Sequence, residues 1–202
     1  MYPFFRSLLF RLDPETAHQL TLQLMRIGGI EPIHSILRAT YAAPSKPVQA
    51  FGLTFRNPVG LAAGYDKDAV AMKGLSALGF GHLEVGTVTL NPQPGNQHPR
   101  VFRLLDDQAI INRMGFPGKG ADFVAGRLKR ANAKTLKQAN VVLGVNLGKN
   151  KDTPLEDSAN DYIALMRQFM LLADYLTINV SSPNTIGLRR LQGRELLETL
   201  LG

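Results

Sequence analysis

The sequence predicts an α/β fold whose strands form a parallel sheet. From about residue 57 onward, short runs of β-favouring apolar residues alternate with segments of helical periodicity. Each apolar run ends in glycine or in small polar residues that favour turns. Strands that alternate with helices in this way pair in parallel through right-handed crossovers. The hydrophobic content of 45% and the charged content of 19% are those of a globular protein.

The first 45 residues predict a small helical region ahead of the sheet. One helical stripe holds five large apolar side chains: Phe4, Phe5, Leu8, Leu9 and Leu12. A second helix has Asp13 as its N-cap, Pro14 at its first position and Gly28-Gly29 at its end. A third, short helix covers residues 32–41. These helices carry more apolar surface than they can bury among themselves, so we expect them to pack on the main domain or to lie on a membrane.

The sheet domain is placed at residues 46–202, after a Pro-rich linker. It begins with a predicted hairpin over residues 49–56, which turns at Gly52. Four strands follow, at residues 59–64, 82–85, 141–145 and 176–180. Helices are predicted at residues 69–78 and 155–173, and from about Gly193 onward. Two insertions after the second strand, a loop with three prolines at 91–99 and a hairpin at 101–111, are expected to carry ligand loops.

Small and polar residues collect where the four predicted strands end. They are Ala63, Gly64 and Lys67; Thr87; Asn146; and Asn179 and Ser182. Because parallel strands point their carboxyl ends to one face, we expect these residues to meet at a ligand site. Glycine lets a backbone approach a flat or phosphorylated ligand, and amides match ring carbonyl and N–H groups. Taken alone, Lys67 is also consistent with plain surface charge, and His18 with a packing histidine.

Several classes of protein are disfavoured by what the sequence lacks. There is no cysteine, so thiolate metal sites and cysteine nucleophiles are excluded, and no metal site is predicted. Neither a dinucleotide-binding Gly-x-Gly-x-x-Gly after a strand nor a P-loop lysine motif occurs. The formal charge of +7 would permit contact with nucleic acid. Because the basic residues are spread along the chain, we expect solvated charge and no nucleic-acid partner.

Six segments resemble, in order, the class 2, quinone-reducing dihydroorotate dehydrogenases. They are Asn57-Pro-Val-Gly-Leu-Ala-Ala-Gly-Tyr-Asp-Lys67, Glu84-Val-Gly-Thr87, Pro99-Arg-Val-Phe-Arg-Leu104, Ile111-Asn-Arg-Met-Gly-Phe116, Asn146-Leu-Gly-Lys-Asn150 and Asn179-Val-Ser-Ser-Pro-Asn-Thr185. The helix start at residues 13–18 is similar to that class as well, whose N-terminal helices form a quinone tunnel and a membrane-associating surface. The resemblance covers the chain from end to end.

The resemblance implies an FMN enzyme of de novo pyrimidine biosynthesis that oxidises (S)-dihydroorotate to orotate. Its electrons would pass to a membrane quinone, either ubiquinone or menaquinone. The implied fold is a parallel (β/α) TIM-type barrel, here incomplete, with about the first four βα units following the helical region of residues 1–45. The implied location is the membrane surface, reached through the N-terminal helices, on the cytoplasmic face of the inner membrane if the source is bacterial.

The resemblance also implies roles for individual residues. Ser182 would be the base that takes a proton from dihydroorotate, in a dry, closed site because a hydroxyl is a poor base in water. FMN would be held by Ala63, Gly64, Tyr65, Asp66, Lys67, Thr87, Asn146 and Asn179. The substrate would be held by Lys67, Asn112, Arg113, Met114, Gly115, Phe116, Asn179 and Asn184. His18 and Arg103 would border the quinone path.

The chain departs from the family pattern in two residues and in length. Tyr65 stands where leucine or phenylalanine is usual, and Ile186 where proline is usual, which we expect to loosen the loop of Ser182. A complete barrel takes about 250 residues, roughly thirty per unit, whereas residues 58–202 leave room for about four strands. We therefore expect open strand edges, an incomplete protein, and weak or no binding of FMN by this chain alone.

Two other functions stay open. One is another flavin barrel that acts on a dihydropyrimidine or a dihydrouridine; the absence of cysteine argues against it, because such enzymes are expected to offer a cysteine acid or an iron–sulfur set. The other is an inactive barrel fragment, or one that requires a partner chain.

Overall fold

The computed structural model describes residues 2–131, 136 and 139–201, and a helical region comes first. Its helices are α1 (Tyr2–Leu9), α2 (Pro14–Gly28) and α3 (Ile33–Thr40). Asp13 caps α2, because its Oδ1 accepts the backbone N–H groups of Glu15 at 3.0 Å and Thr16 at 3.1 Å. The three helices predicted for this region, and the cap of the second, are therefore confirmed.

The remaining elements follow in chain order. The first part holds β1 (Val48–Ala50), β2 (Leu53–Phe55), β3 (Gly60–Leu61), α4 (Met72–Ser76) and β4 (His82–Val88). The insertion holds β5 (Val101–Leu104) and β6 (Ala109–Asn112), and α5 (Ala121–Ala131) comes after it. The last part holds β7 (Val142–Leu147), α6 (Ser158–Phe169), β8 (Tyr175–Ile178), a 3₁₀ helix at Leu188–Gln192 and α7 (Arg194–Leu201). Both predicted hairpins are present, since β1 pairs with β2 and β5 with β6 in antiparallel fashion.

One parallel sheet of four strands positions the site. Its order is β3-β4-β7-β8, so strands that follow one another along the chain lie side by side. This is the order of the first units of a (β/α) barrel, and it confirms the predicted incomplete barrel. Among the described residues, β3 and β8 each pair with a single strand, which leaves the sheet open at both edges.

The hydrophobic core lies between this sheet and helices α4, α5 and α6. Its most buried side chains include Leu83, Leu128, Val145, Leu165 and Phe169. The N-terminal helices pack on this domain through α2 and α4. The two backbones approach so closely that a Cβ atom on Gly74 would collide with the carbonyl oxygen of Met25. Packing on the main domain, one of the two expectations for these helices, is therefore observed.

The first βα unit is shorter than predicted. Strand β3 covers two residues, because the chain turns away at Gly64 (φ 110°), whose N–H bonds to the carbonyl of Gly86 at 2.8 Å. Helix α4 begins at Met72 instead of residue 69. The carboxylate of Asp66 accepts the N–H groups of Val70 and Ala71, both at 2.8 Å, and holds a turn where the helix was expected to start.

Helix α5 is missing from the prediction. Its buried residues Ala121, Val124, Ala125 and Leu128 have the i, i+3, i+4, i+7 spacing of an amphipathic helix, so the sequence signal was present. The fourth strand ends at Ile178, two residues earlier than predicted, which places Asn179 just beyond the strand. Thr87 and Asn146, in contrast, lie within β4 and β7.

Candidate functional site

A cavity of about 510 Å³ opens at the carboxyl ends of the four parallel strands. We call it the central cavity. Each strand or the loop after it contributes lining residues: Ala63, Gly64 and Lys67 for β3, Thr87 for β4, Asn146 for β7, and Asn179, Ser182 and Asn184 for β8. The end of β6 adds Asn112, and the loop after β6 adds Met114, Gly115 and Phe116. The convergence of the strand-end residues, expected from the parallel sheet, is therefore present in the structure.

Three polar side chains form a hydrogen-bonded cluster in the wall of this cavity. The hydroxyl of Thr87 donates to Asn146 Oδ1 at 2.6 Å. Asn179 Nδ2 donates to Thr87 Oγ1 at 3.0 Å and to Asn146 Oδ1 at 3.1 Å. Thr87 and Asn146 are buried, where an unpaired polar group would cost roughly 1–3 kcal/mol. The buried partners that these amides require are supplied by the neighbouring strands of the sheet.

Glu84 of β4 also lines the central cavity, and it was not among the predicted site residues. Its Oε1 accepts a hydrogen bond from Asn146 Nδ2 at 2.9 Å. Its Oε2 accepts from the hydroxyls of Tyr175 at 2.9 Å and Thr177 at 3.1 Å. Burial, and then the charge and hydrogen bond of Glu84, raise the pKa of Tyr175, so its hydroxyl remains a neutral donor. The sequence offered two signals for this residue: a carboxylate within an apolar strand, and its place at the start of the segment Glu84-Val-Gly-Thr87.

Lys67 stands in the central cavity as a half-buried cation. Within the described part of the chain, no hydrogen bond or ion pair reaches its ammonium group. Burial lowers the pKa of Lys67, and the nearby charges of Glu15 and Asp68 oppose that shift only in part. A partly desolvated ammonium without a partner is suited to hold an anion or to face developing negative charge. Plain surface charge does not describe this position.

The loop of Ser182 is tied to the insertion loops across the cavity mouth. Ser182 is partly buried, and its Oγ accepts the backbone N–H of Asn184 at 3.2 Å. Asn184 Nδ2 reaches the carbonyl oxygen and Oδ1 of Asn112, both at 3.4 Å. Asn96 joins the two sides, since its Nδ2 donates to the carbonyls of Arg113 at 2.9 Å and Asn184 at 3.3 Å. The structure thus adds Asn96, from the Pro-rich loop, to the residues that shape the mouth.

A second cavity, of about 420 Å³, lies between the N-terminal helices and the β5–β6 hairpin. We call it the helix-side cavity. It is lined by His18 and Arg103, the two residues predicted to border a quinone path, and by apolar residues such as Leu9 and Phe10. It shares Gly64, Lys67, Asn112 and Met114 with the central cavity. The two cavities therefore meet beside Lys67.

Polar contacts fix His18 and Arg103 in the wall of the helix-side cavity. The guanidinium of Arg103 donates to the carbonyl of Leu12 at 2.8 Å and lies 4.5 Å above the ring of Phe10. His18 Nε2 lies 2.6 Å from the carbonyl oxygen of Tyr65, which can only accept, so this nitrogen carries the hydrogen. Burial, assisted by the positive charge of Lys67, lowers the pKa of His18.

Three of the residues predicted to hold FMN or substrate do not place their side chains in the central cavity. Asp66 is buried and holds the turn before α4. Tyr65 stacks on His18 with ring centroids 5.2 Å apart, and its hydroxyl donates to Thr21 at 3.1 Å. Arg113 donates to the carbonyl of Pro99 at 2.9 Å. The positions of these side chains do not support direct contact with a ligand there, and their predicted roles remain predictions.

Comparison with known proteins decides the family. The sequence profile described as dihydroorotate dehydrogenase matches residues 46–202. This chain belongs to the dihydroorotate dehydrogenase family. Relatives named dihydroorotate dehydrogenase (quinone) are 50% identical in Salmonella choleraesuis over 201 residues, 49% in Citrobacter koseri over 200, and 51% in Escherichia coli K12 over 201. Each alignment covers 99% of this chain and 57% of the relative, so the chain spans a little over half the length of these dehydrogenases.

Solved dihydroorotate dehydrogenases share the fold. The structure from Eimeria tenella in complex with ferulenol has a TM-score of 0.80 and 42% identity, and the match covers 94% of this chain and 49% of that one. The ligand-free structure from the same organism has a TM-score of 0.81 and 43% identity, with coverage of 94% and 52%. The predicted family and the predicted barrel are confirmed by these matches.

The two departures from the dihydroorotate dehydrogenase pattern lie in different surroundings. Tyr65 joins α2 to the loop of Lys67 through its contacts with His18 and Thr21. Ile186 is 91% exposed beside the loop of Ser182 and packs little.

Within the described residues, no helix has the length and apolar character needed to span a bilayer.

Proposed function

We propose that the protein oxidises (S)-dihydroorotate to orotate with FMN as cofactor and a membrane quinone, ubiquinone or menaquinone, as electron acceptor, in de novo pyrimidine biosynthesis. The observation that carries the proposal is the convergence of Lys67, Asn146, Asn179 and Ser182 on one cavity at the strand ends. Family membership supports the same chemistry. The chain spans 57% of the length of its relatives. We therefore propose the activity for the whole protein to which this sequence belongs.

The residues of the central cavity fit a flavin ring. A Cβ atom on Gly64 would meet nothing within 4 Å, so the backbone there is open to the close approach of a flat ring. Asn146 has a second N–H beyond its bond to Glu84. The ammonium of Lys67 has no hydrogen bond or ion pair to any described residue. These donors match the carbonyl oxygens and ring nitrogens of an isoalloxazine. When bound, FMN supplies the ring that accepts a hydride from the substrate.

Ser182 is the proposed base. Its Oγ would take the proton from the substrate carbon while its own hydroxyl proton passes by a relay to an acceptor outside the closed site. Within the described residues, the only hydrogen bond to Ser182 Oγ comes from the Asn184 N–H, and no carboxylate or imidazole is bonded to it. A hydroxyl used in this way needs a closed, dry site. The Asn96, Asn112 and Asn184 contacts would supply that closure, and Asn112 and Asn184 would hold the substrate with Lys67.

The helix-side cavity is the proposed quinone path. It leads from His18 and Arg103 to Lys67, where the central cavity begins. The N-terminal helices also expose large apolar side chains: Phe4, Phe5, Leu8, Leu20, Leu24 and Ile27. We assign residues 1–45 to a membrane-contacting region and residues 46–202 to the barrel domain. The protein would lie on the membrane surface, on the cytoplasmic face of the inner membrane in a bacterium.

The test is reduction of added FMN under anaerobic conditions with dihydroorotate as the donor. We expect the visible absorption of the flavin to bleach with dihydroorotate and to bleach much less with dihydrouracil, which lacks the carboxylate that Lys67 would hold. Ser182→Ala should slow bleaching at least about 100-fold, because a positioned base contributes that much. Ser45→Ala, in the exposed linker, is the matched control. Equal rates with both substrates, or an active Ser182→Ala protein, would count against the proposal.

A further inference from the structure

Glu84 lines the central cavity but has no role in the proposed reaction. It lies in β4, and its two oxygens accept three hydrogen bonds from residues of β7 and β8. In all three bonds the Glu84 oxygens are the acceptors, so every partner must turn a donor toward them. Glu84 therefore imposes a direction on the hydrogen bonds around it.

The imposed direction can be followed from one amide to the next. Asn146 must present Nδ2 to Glu84, at 2.9 Å, so its Oδ1 faces the opposite way. That oxygen takes the hydroxyl hydrogen of Thr87 at 2.6 Å. With its hydrogen committed, Thr87 Oγ1 is left as an acceptor, and Asn179 turns Nδ2 toward it at 3.0 Å. Asn179 Oδ1 then faces Ser181, whose N–H and hydroxyl lie at 3.2 and 3.3 Å.

We propose that Glu84 is a positioning residue: through this chain of hydrogen bonds it fixes the amide orientations of Asn146 and Asn179, and so decides that Asn146 offers a donor to the ligand. The site would then select a flat ring that presents acceptor atoms, such as ring carbonyl oxygens. Glu84 acts through Asn146 and does not itself need to touch the ligand. The choice of ligand rests on the proposed function, whereas the orientation of the amides does not.

The experiment compares Glu84→Gln with Glu84→Met, two side chains of similar size. Glutamine can keep an oxygen toward Asn146 and turn its amide to the hydroxyls of Tyr175 and Thr177, both of which can accept. Methionine offers no oxygen, so Asn146 is free to reverse. We expect the side-chain NH₂ signals of Asn146 and Asn179 in ¹⁵N spectra to stay in place in Glu84→Gln and to move in Glu84→Met.

Flavin affinity, titrated with FMN, is the second measurement. Glu84→Gln should stay within about 3-fold of the wild-type affinity, and Glu84→Met should lose at least about 10-fold, the equivalent of one misdirected hydrogen bond. Glu156→Gln and Glu156→Met make the same changes at an exposed position and should leave both measurements unchanged. If the whole protein to which this sequence belongs binds no FMN, the proposed function fails, while the amide signals still decide the role of Glu84.

Two results would overturn the proposal. One is a folded Glu84→Met protein whose amide signals and flavin affinity match those of the wild type. The other is a Tyr175→Phe, Thr177→Val protein that moves the Asn146 and Asn179 signals as far as Glu84→Met does, because those changes leave the bond to Asn146 intact. If Glu84→Met does not fold, nuclear Overhauser effects in the wild type answer the question. We expect cross-peaks between the Asn146 NH₂ and the methylenes of Glu84. Cross-peaks from that NH₂ to the Thr87 methyl instead would refute the proposed orientation of the Asn146 amide.

Discussion

Glu15→Gln should weaken the attachment of α2 to the barrel insertion. The Glu15 carboxylate binds the Arg100 guanidinium through two bonds, of 2.7 and 3.0 Å, and the side chains are only 13% and 7% exposed. Arg100 also donates to the carbonyls of Pro94 and Asn96. A hydrogen bond to a charged group contributes roughly 1.5–3 kcal/mol. Because glutamine still accepts one bond and Arg100 keeps its carbonyl partners, we expect a loss of about 2 kcal/mol in the free energy of unfolding.

The loss should depend on pH with a defined sign. The hydrogen bond from Arg100, and then its charge, lower the pKa of Glu15 from 4.5, although burial opposes the shift. A carboxyl whose pKa is lowered by folding stabilises the folded state above the unfolded value, and this contribution disappears as the pH falls through the folded value. The difference between wild type and Glu15→Gln should therefore be complete at neutral pH and should shrink below 4.5.

Urea unfolding followed by circular dichroism measures the difference. Glu198→Gln is the matched control, because Glu198 pairs with Arg194 at 2.8 Å while both side chains are largely exposed. A surface pair one helical turn apart contributes about 0.3–0.5 kcal/mol. Equal losses in the two variants, or a Glu15→Gln effect as large at pH 3 as at pH 7, would refute the buried ion pair as the attachment of α2.

Three further predictions concern stability. Gly74→Ala should cost about 1–3 kcal/mol in urea unfolding, because its Cβ would collide with α2, whereas Gly126→Ala in α5 should be neutral or stabilising. Burial lowers the pKa of His18 from 6.5, so the unfolded chain binds more protons there; stability should rise with pH up to about that value, and His18→Asn should flatten this dependence in unfolding at pH 5 and pH 7.5. Lys67→Met should stabilise the fold by about 1 kcal/mol, measured as a higher unfolding temperature, and should weaken FMN binding in a titration. A fall in both the unfolding temperature and the FMN affinity would contradict the view that Lys67 is a partly buried cation with no partner among the described residues.

Local sequence patterns predicted much of the site because its positions follow from strand ends. Thr87 and Asn146 lie in two of the strands and Asn179 directly follows a third, so parallel pairing alone brings them to one cavity. Glu84 could not be assigned in this way, because its partners Asn146 and Tyr175 lie 62 and 91 residues further along the chain. A lone carboxylate in a strand says nothing about which distant donors face it.

The errors in the predicted secondary structure come from individual side-chain and backbone contacts. The turn before α4 depends on which backbone groups Asp66 binds, and a propensity for helix gives no information about that side-chain contact. The short β3 follows from the turn at Gly64, which a run of small residues does not reveal. The sequence marks Tyr65 as unusual for the family, but only the packing of α2 shows that its ring faces His18.

The central claim is that the cavity at the strand ends holds the flavin, and an FMN titration of the ¹⁵N-labelled protein followed by NMR tests it most directly. This measurement locates the ligand even if binding is weak. The account predicts saturable shifts in the signals of Gly64, Lys67, Thr87, Asn146 and Asn179, with signals of the distant α7 unchanged. FMN-induced shifts confined to other parts of the chain would contradict it.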